Sequence, residues 1–204
     1  MAEKYNAIIM FGAPGIGKGT QGKLLGKLSQ FYHFSTGEMF RAMRTDPNMK
    51  DNEIAKKVME TIDAGHLVSD NLTAELFFKT LEEYEKENKF NPKEQVLILD
   101  GIPRNASQVG LLKDKINVIK IIYFISSDDE VLVERLARRA KLEGRSDDAD
   151  ESVIRKRLET YRKETEDVLK KYSKDMVLEI DGFGTIENIY EEIIKKLEDE
   201  GIVK

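Results

Sequence analysis

One segment constrains this chain more than any other: Gly12-Ala-Pro-Gly15-Ile-Gly17-Lys18-Gly19-Thr20. It follows the apolar run Tyr5–Phe11 and opens a stretch of helical spacing. A glycine-rich turn between a buried strand and a helix lets backbone N–H groups point inward around an anion, at the positive end of the helix. Lys18 adds a point charge that reaches toward terminal phosphates. The usual form of this loop has Ser or Thr directly after the Lys; here Gly19 intervenes and Thr20 follows. A plain Gly-rich turn is the bland alternative, but strand, spacing, Lys and helix all agree. The motif implies a strand–loop–helix unit and hence a parallel sheet.

The rest of the chain reads in the same way. Compact apolar runs at Gln95–Asp100, Asn117–Ile125 and Asp175–Ile180, with a shorter one at Phe31–Phe34, suit strands buried on both faces. Helical spacing fills Lys18–Gln30, Ser69–Asn88, Ser107–Lys115, Ser127–Ala140, Glu151–Ser173 and Thr185–Asp199. The alternation predicts an α/β fold with a five-stranded parallel sheet wrapped by helices. Two stretches exceed what crossovers need. Thr36–Val68 reads as a small helical insertion. Lys141–Asp150 (KLEGRSDDAD) is so charged that it is expected to stay unpacked, as a flap.

Composition narrows the partners. Lys and Arg number 33 against 38 Asp and Glu, a net charge of −5, with no long basic block. Nucleic acid and anionic membrane are therefore poor partners, and no apolar run approaches the length of a membrane span. Met1–Lys4 does not introduce a signal peptide, because the apolar stretch after it is too short. With no Cys, disulfides, thiolate zinc sites and Cys nucleophiles are excluded. A cytoplasmic protein is expected.

The arginines form the second signal. Ser127 and Glu130 have the spacing of a capping box, and Arg138 has Glu134 one turn before it. Arg135 and Arg139 lack such a partner and stack at i,i+4, which is unfavourable unless an anion joins them. Arg155 is flanked by Glu151 and Glu159, whereas Arg157 shares its stripe with Val153, Ile154 and Tyr161. Arg145 lies beside Asp147 and Asp148. Each could merely satisfy a carboxylate elsewhere; as a group beside a phosphate loop they point to a polyanion.

Two further segments join them. Leu99-Asp100-Gly101-Ile102-Pro103-Arg104 ends a strand, where open parallel sheets bind ligands. Asp100 there can orient water around magnesium and Arg104 can hold phosphate; a simple Gly-Pro turn is the alternative. Ser35-Thr36-Gly37-Glu38-Met39-Phe40-Arg41 carries a second capping box, and Arg41 either pairs with Glu38 or meets an anion. His33 reads as structural, and His66 lies in a Gly-containing turn; neither suggests a metal site or catalysis.

In this order the segments GAPGIGKGTQ (12–21), STGEMFR (35–41), GHLVSD (65–70), LDGIPRNASQ (99–108), Arg135–Arg139, GRSDD (144–148), RKRLETY (155–161) and DGFGT (181–185) resemble the adenylate kinase family across essentially the whole chain. The resemblance implies a core of residues 1–34, 69–137 and 150–204, a monophosphate-binding insert at 35–68 and a short lid at 138–149. It implies an ATP site at Gly12, Gly15, Ile16, Gly17, Lys18, Gly19 and Thr20, with Arg135 against the adenine, Arg139 on the phosphates and Gly184 touching adenine through its backbone. It implies a monophosphate site at Thr36, Arg41, His66, Leu67, Val68, Gly101, Ile102, Pro103, Arg104 and Gln108. Arg145 and Arg157 match arginines that bridge the reacting phosphates, so Lys18, Arg104, Arg139, Arg145 and Arg157 form the implied catalytic set.

The implied reaction is MgATP + AMP = 2 ADP, with magnesium carried by ATP, Asp100 contacting it through water, no zinc, and a monomer as the working unit. One extra residue separates GRSDD from RKRLETY relative to common spacing, yet the RLETY match and the apolar stripe both select Arg157 over Arg155. Ile102 stands where Phe is usual, and Ser69 where Pro or Thr is. Asn105 is similar to the uridylate–cytidylate kinase branch, whereas Gln108 matches the adenine-reading Gln. A pyrimidine kinase is thus the alternative. A nucleotide-binding switch or adaptor is another, but the Asn-Lys-x-Asp it would need is absent, since Asn88-Lys89 is followed by Phe90-Asn91.

Overall fold

The structure is a computed structural model that describes residues 4–47 and 52–203. Strands β1 (Tyr5–Gly12), β2 (Phe31–Ser35), β3 (Val96–Asp100), β4 (Ile116–Ile125) and β5 (Val177–Asp181) form one sheet in the order β2-β3-β1-β4-β5, every pair parallel. Helices α1 (Lys18–Leu25), α2 (Thr36–Thr45), α3 (Glu53–Asp63), α4 (Asp70–Lys86), α5 (Ala106–Leu112), α6 (Asp129–Glu143), α7 (Glu151–Thr160) and α8 (Ile186–Asp199) surround it. β1 is central. Its Ile8 and Met10 enter one apolar core with Leu132, Leu136, Ile154 and Ile193; Ala7, Ile9 and Phe11 enter the other with Phe34, Phe77 and Leu81. A strand packed on both faces must be apolar at successive positions, which is why these runs show no alternation.

The register sets the site. Met10 and Ser35 both pair with Asp100, so the carboxyl ends of β1, β2 and β3 lie level. The loops leaving them share one edge of the sheet, where ligands of such folds bind.

Four expectations need correction. The helix expected over Lys18–Gln30 ends at Leu25, because Gly26 packs its bare backbone against His33 as the chain turns into β2. The helix expected over Glu151–Ser173 stops at Thr160 and continues as a widened π turn (Tyr161–Thr165) and a 3-10 segment (Glu166–Lys171). The wider turn rotates the chain: Leu158 and Tyr161 face one core, Val168 the other. The cap of α6 is Asp128, not Ser127; its carboxylate accepts from the amides of Glu130 and Val131. Finally, the charged stretch Lys141–Asp150 is exposed over most of its length but not at Asp147 and Asp148. α6 runs on to Glu143, Gly144 ends it in the left-handed conformation, and the turn Ser146–Asp148 follows, with Asp147 and Asp148 5% and 1% exposed. Buried carboxylates need cationic partners, and the arginines supply them. At Ser35 the expected cap is present, its hydroxyl accepting from the Glu38 amide.

Candidate functional site

The level strand ends open into a cleft of about 850 Å³. Gly12, Gly15, Gly17, Lys18, Gly19 and Thr20 line one part; Thr36, Arg41, His66, Leu67, Val68, Gly101, Pro103, Arg104 and Gln108 line another. Arg135, Arg139, Arg145 and Arg157 lie along it, and Asp100 sits between the two parts. The guanidinium groups distant in sequence therefore do share one cleft. Ile16 and Ile102 do not line it: each is 1% exposed, within the two apolar cores. Gly184 is also outside the lining, against Ile189.

The phosphate loop is built by backbone geometry. Gly15 has φ +85°, and a Cβ there would approach the Leu132 carbonyl and Leu136 at 3.0 Å. Only glycine combines that conformation with that closeness. Gly17 caps α1, also with positive φ. Lys18 Nζ donates to the carbonyls of Gly12 (2.7 Å) and Ala13 (3.0 Å). Burial lowers its pKa to about 8; Asp100 opposes the fall, and Arg104, Arg139 and Arg157 add to it. An ammonium held this way gains from any phosphate that arrives.

Asp100 is the counter-charge of this floor. Burial alone would raise its carboxyl, but His33, Lys18 and Arg104 outweigh that and hold it below the ordinary value. His33 Nε2 lies 3.8 Å from Asp100 Oδ2, beyond hydrogen-bond length. Thr36, 1% exposed, donates its hydroxyl to the Asp100 carbonyl at 3.4 Å. Gly101 has φ +86°, and a Cβ there would stand 2.6 Å from the Thr36 hydroxyl. Arg104 Nε donates to the Gly101 carbonyl at 2.9 Å, and burial together with Arg157 lowers its pKa to about 10, so it is charged at neutral pH. Arg41 does not pair with Glu38, which binds Lys23 at 2.7 Å; the Arg41 guanidinium lies over Gly37. Burial and then Arg145 depress its pKa.

Three arginines converge on the buried aspartates that the sequence reading left without a role. Arg139 donates from Nε (2.9 Å) and Nη2 (2.5 Å) to Asp148 Oδ2. Arg157 donates to Asp147 Oδ2 at 2.9 Å and also to Asp148. Arg145 lies within 4 Å of both carboxylates. Burial would raise the Asp147 carboxyl, but Arg157, Arg145, Arg41 and Arg139 together hold it low. The expectation that Arg139 and Arg157 lack carboxylate partners therefore fails, though both remain in the cleft. Arg135 donates to the Gly182 carbonyl at 3.0 Å and lies 5.2 Å from the Phe183 ring centre. A side chain pinned over an aromatic face presents a flat cationic plane.

Several contacts around the cleft are not legible in the sequence. Asp70 and Asn105 hold Gln108, and Arg44, Asp63 and Ser146 join the α2–α3 segment to the turn after α6. Only the adjacency of Asp147 and Asp148 to Arg145 was a local signal; the rest are long-range meetings. Among the described residues, no group of three or more His, Asp or Glu side chains could cage a metal. That donor set fits magnesium bound mainly by nucleotide phosphate and water. Thr20 is at hand as an oxygen donor, and Asp100, whose Oδ2 would lie 3.4 Å from a Cβ on Gly19, as a contact through water.

Comparison with known proteins agrees with this geometry. A family model described as adenylate kinase matches residues 10–177. An adenylate kinase of Azobacteroides pseudotrichonymphae is 35% identical over 93% of this chain and 95% of its own. Those of Corynebacterium urealyticum and Prochlorococcus marinus are each 38% identical, over 90% and 93% of this chain and 94% and 96% of theirs. With a phosphate loop, a second cationic station and an arginine bridge in one cleft, and with relatives aligned nearly end to end, the chain belongs to the adenylate kinase family of nucleoside monophosphate kinases and is a phosphotransferase.

Proposed function

We propose that the chain catalyses reversible transfer of the terminal phosphoryl group from MgATP to AMP, giving two ADP. The observation that carries this reading is the single cleft in which Lys18 and the phosphate loop face Arg41 and Arg104, with Arg139, Arg145 and Arg157 along it. ATP takes the station of Gly12, Gly15, Gly17, Lys18, Gly19 and Thr20, with Arg135 at its base and the backbone of Ile16 and Gly184 nearby. AMP takes the station of Thr36, Arg41, His66–Val68, Gly101–Arg104 and Gln108.

The chemistry asks little of acid–base groups. The acceptor phosphate oxygen is already anionic near pH 7, so no general base is needed. Lys18, Arg104, Arg139, Arg145 and Arg157 bring two polyanions together and stabilise charge on the transferring group. Magnesium, when bound with ATP, supplies further neutralisation of the phosphates. The arginines are effective only with water excluded, so segments 35–68 and 138–149 close over the nucleotides. Contacts between the segments already exist: Arg44 donates to Ser146 at 2.7 Å, and Ser146 donates to Asp63 at 3.0 Å. Among the described residues no helix is long and apolar enough to cross a membrane; the reading carries with it a cytoplasmic monomer.

Asn105 is the feature favouring a pyrimidine kinase, yet its amide is used by Asp70 and the Gln108 backbone, while Gln108 lines the cleft. A coupled assay with ATP and AMP, UMP or CMP decides between them, with AMP expected to be the best acceptor. Lys18→Ala and Arg157→Ala are each expected to lower turnover by orders of magnitude with the fold retained. Near-normal rates in both would refute the assigned roles.

A further inference from the structure

Gln108 is 2% exposed and lines the part of the cleft assigned above to the monophosphate base. A glutamine amide has two ends, a carbonyl oxygen that only accepts and an NH2 that only donates, and rotating it by half a turn exchanges them. Its use as a base reader therefore depends on what prevents that rotation.

Two partners with no choice of role prevent it here. The Arg104 backbone N–H can only donate, and it meets Gln108 Oε1 at 2.7 Å. The Asp70 carboxylate is an acceptor, and it meets Gln108 Nε2 at 2.9 Å. Asn105 is fixed by the same logic. Its Oδ1 accepts from the Gln108 backbone N–H at 2.9 Å, so its Nδ2 must be the donor that meets Asp70 Oδ1 at 2.7 Å. Asp70, Asn105 and Gln108 close a ring in which every donor and acceptor is determined. Asp70 opens α4 and Asn105 caps α5, so the ring is anchored on two helix starts.

Each end of the Gln108 amide keeps one unused valence, a lone pair on Oε1 and a hydrogen on Nε2. Side by side they accept from an exocyclic amino group and donate to the ring nitrogen beside it, which is the edge adenine presents. Hypoxanthine presents the reverse, an oxo acceptor beside a ring N–H donor. Against the locked amide both of its contacts are mismatched.

We infer that Asp70 is a specificity-determining residue: by fixing the direction of the Gln108 amide, it makes the acceptor site select 6-amino over 6-oxo purine monophosphates. The inference rests on the placement of the base at Gln108 proposed above. Asp70 does not line the cleft and acts through Gln108, so it is a positioning residue.

The test compares kcat/KM for AMP and for IMP, which differ only in this edge, at saturating MgATP. Enough enzyme is used to resolve an IMP rate 10⁵-fold (roughly the largest discrimination of this kind) below that of AMP. The variants are Asp70→Asn, which offers a donor as well as an acceptor, Asp70→Ala, which offers neither, and Gln108→Ala; thermal unfolding checks each fold. In both Asp70 variants the AMP:IMP ratio is expected to fall by about 10-fold, the worth of one hydrogen bond no longer opposing the flip. A merely structural role would lower both rates together and leave the ratio in place, and that result, in both variants, overturns the inference. Gln108→Ala separates the two levels. If it collapses the ratio while the Asp70 variants keep it, Gln108 reads the base but Asp70 does not set its direction. If it leaves the ratio untouched, the base is not read at Gln108, and both the placement and the inference fall.

Discussion

Lys18 gives the most quantitative handle on the phosphate loop. Its ammonium is held by two loop carbonyls, at a pKa lowered from the ordinary 10.5 to about 8, chiefly by burial. Raising the pH through this value discharges it in the free enzyme. At pH 7 about nine-tenths of the molecules carry the charge, and at pH 9 about one-tenth. Nucleotide phosphates, whose second pKa is about 6, titrate on the acid side of this window, so they add nothing to an alkaline limb. The assay is kcat/KM for MgATP between pH 6.5 and 10, which reports groups of the free enzyme. An alkaline limb centred near pH 8 is expected, falling about 10-fold per pH unit beyond it. The limb in kcat should lie at higher pH, because bound phosphate stabilises the charged form. Lys18→Arg is the control: its guanidinium keeps its charge throughout, so a slower enzyme with no limb near pH 8 is expected. A wild-type profile flat from pH 7 to 9.5, or a limb near 8 that survives in Lys18→Arg, would refute the reasoning.

Three other outcomes follow from the same charges. A depressed lysine pKa means the unfolded chain binds more protons between about pH 8 and 10.5, so this group's penalty, about 3 kcal/mol, is complete below pH 8 and relieved as the pH rises through that window. Lys18→Met should therefore raise Tm at pH 7 by about 3 °C, after the loss of two hydrogen bonds, and lower it by about 5 °C near pH 10.5, where only that loss remains; calorimetry at both pH values checks this. Asp148, its side chain wholly buried among Arg139, Arg145 and Arg157, should on replacement by Ala cost about 3 kcal/mol in urea unfolding without nucleotide. ATP should narrow that deficit by supplying the missing anion, and a loss below about 1 kcal/mol would deny Asp148 its role as counter-ion. Ser146→Ala breaks the contact among Arg44, Asp63 and Ser146 at a half-exposed site, so stability should change by about 0.5 kcal/mol or less while KM for both nucleotides rises; unchanged KM values would show that the contact does not assist closure.

What the sequence made legible was local. The strands of a parallel sheet, though not their order, follow from apolar runs between helices, and the phosphate loop follows from a nine-residue segment, Gly12–Thr20, with its glycines and lysine. The end of α7 was not legible, because Tyr161–Thr165 reads as ordinary helix until two separate cores compete for Leu158 and Val168. Nor was the grip on Gln108. Asp70 and Gln108 are 38 positions apart, and nothing around either states that two helix starts will meet.

The arginines show where local reasoning stops. An Arg on an apolar stripe without a carboxylate one turn away was read as an Arg awaiting a ligand. In the structure Arg139 and Arg157 have carboxylates after all, nine and ten positions off, in a stretch judged too charged to bury. Both facts have one cause. A cluster of guanidinium groups facing a cleft repels itself, and a fold that must exist before nucleotide arrives needs internal anions to hold it. Asp147 and Asp148 supply them, and the arginines in turn make their burial affordable. The pairing does not exhaust the cluster: Arg41 and Arg104 lie outside it, and their pKa values are depressed first by burial and then by a neighbouring arginine, Arg145 for Arg41 and Arg157 for Arg104. A carboxylate count in the sequence cannot separate an arginine that is satisfied from one that is only held in place; the partners that the fold brings to it can.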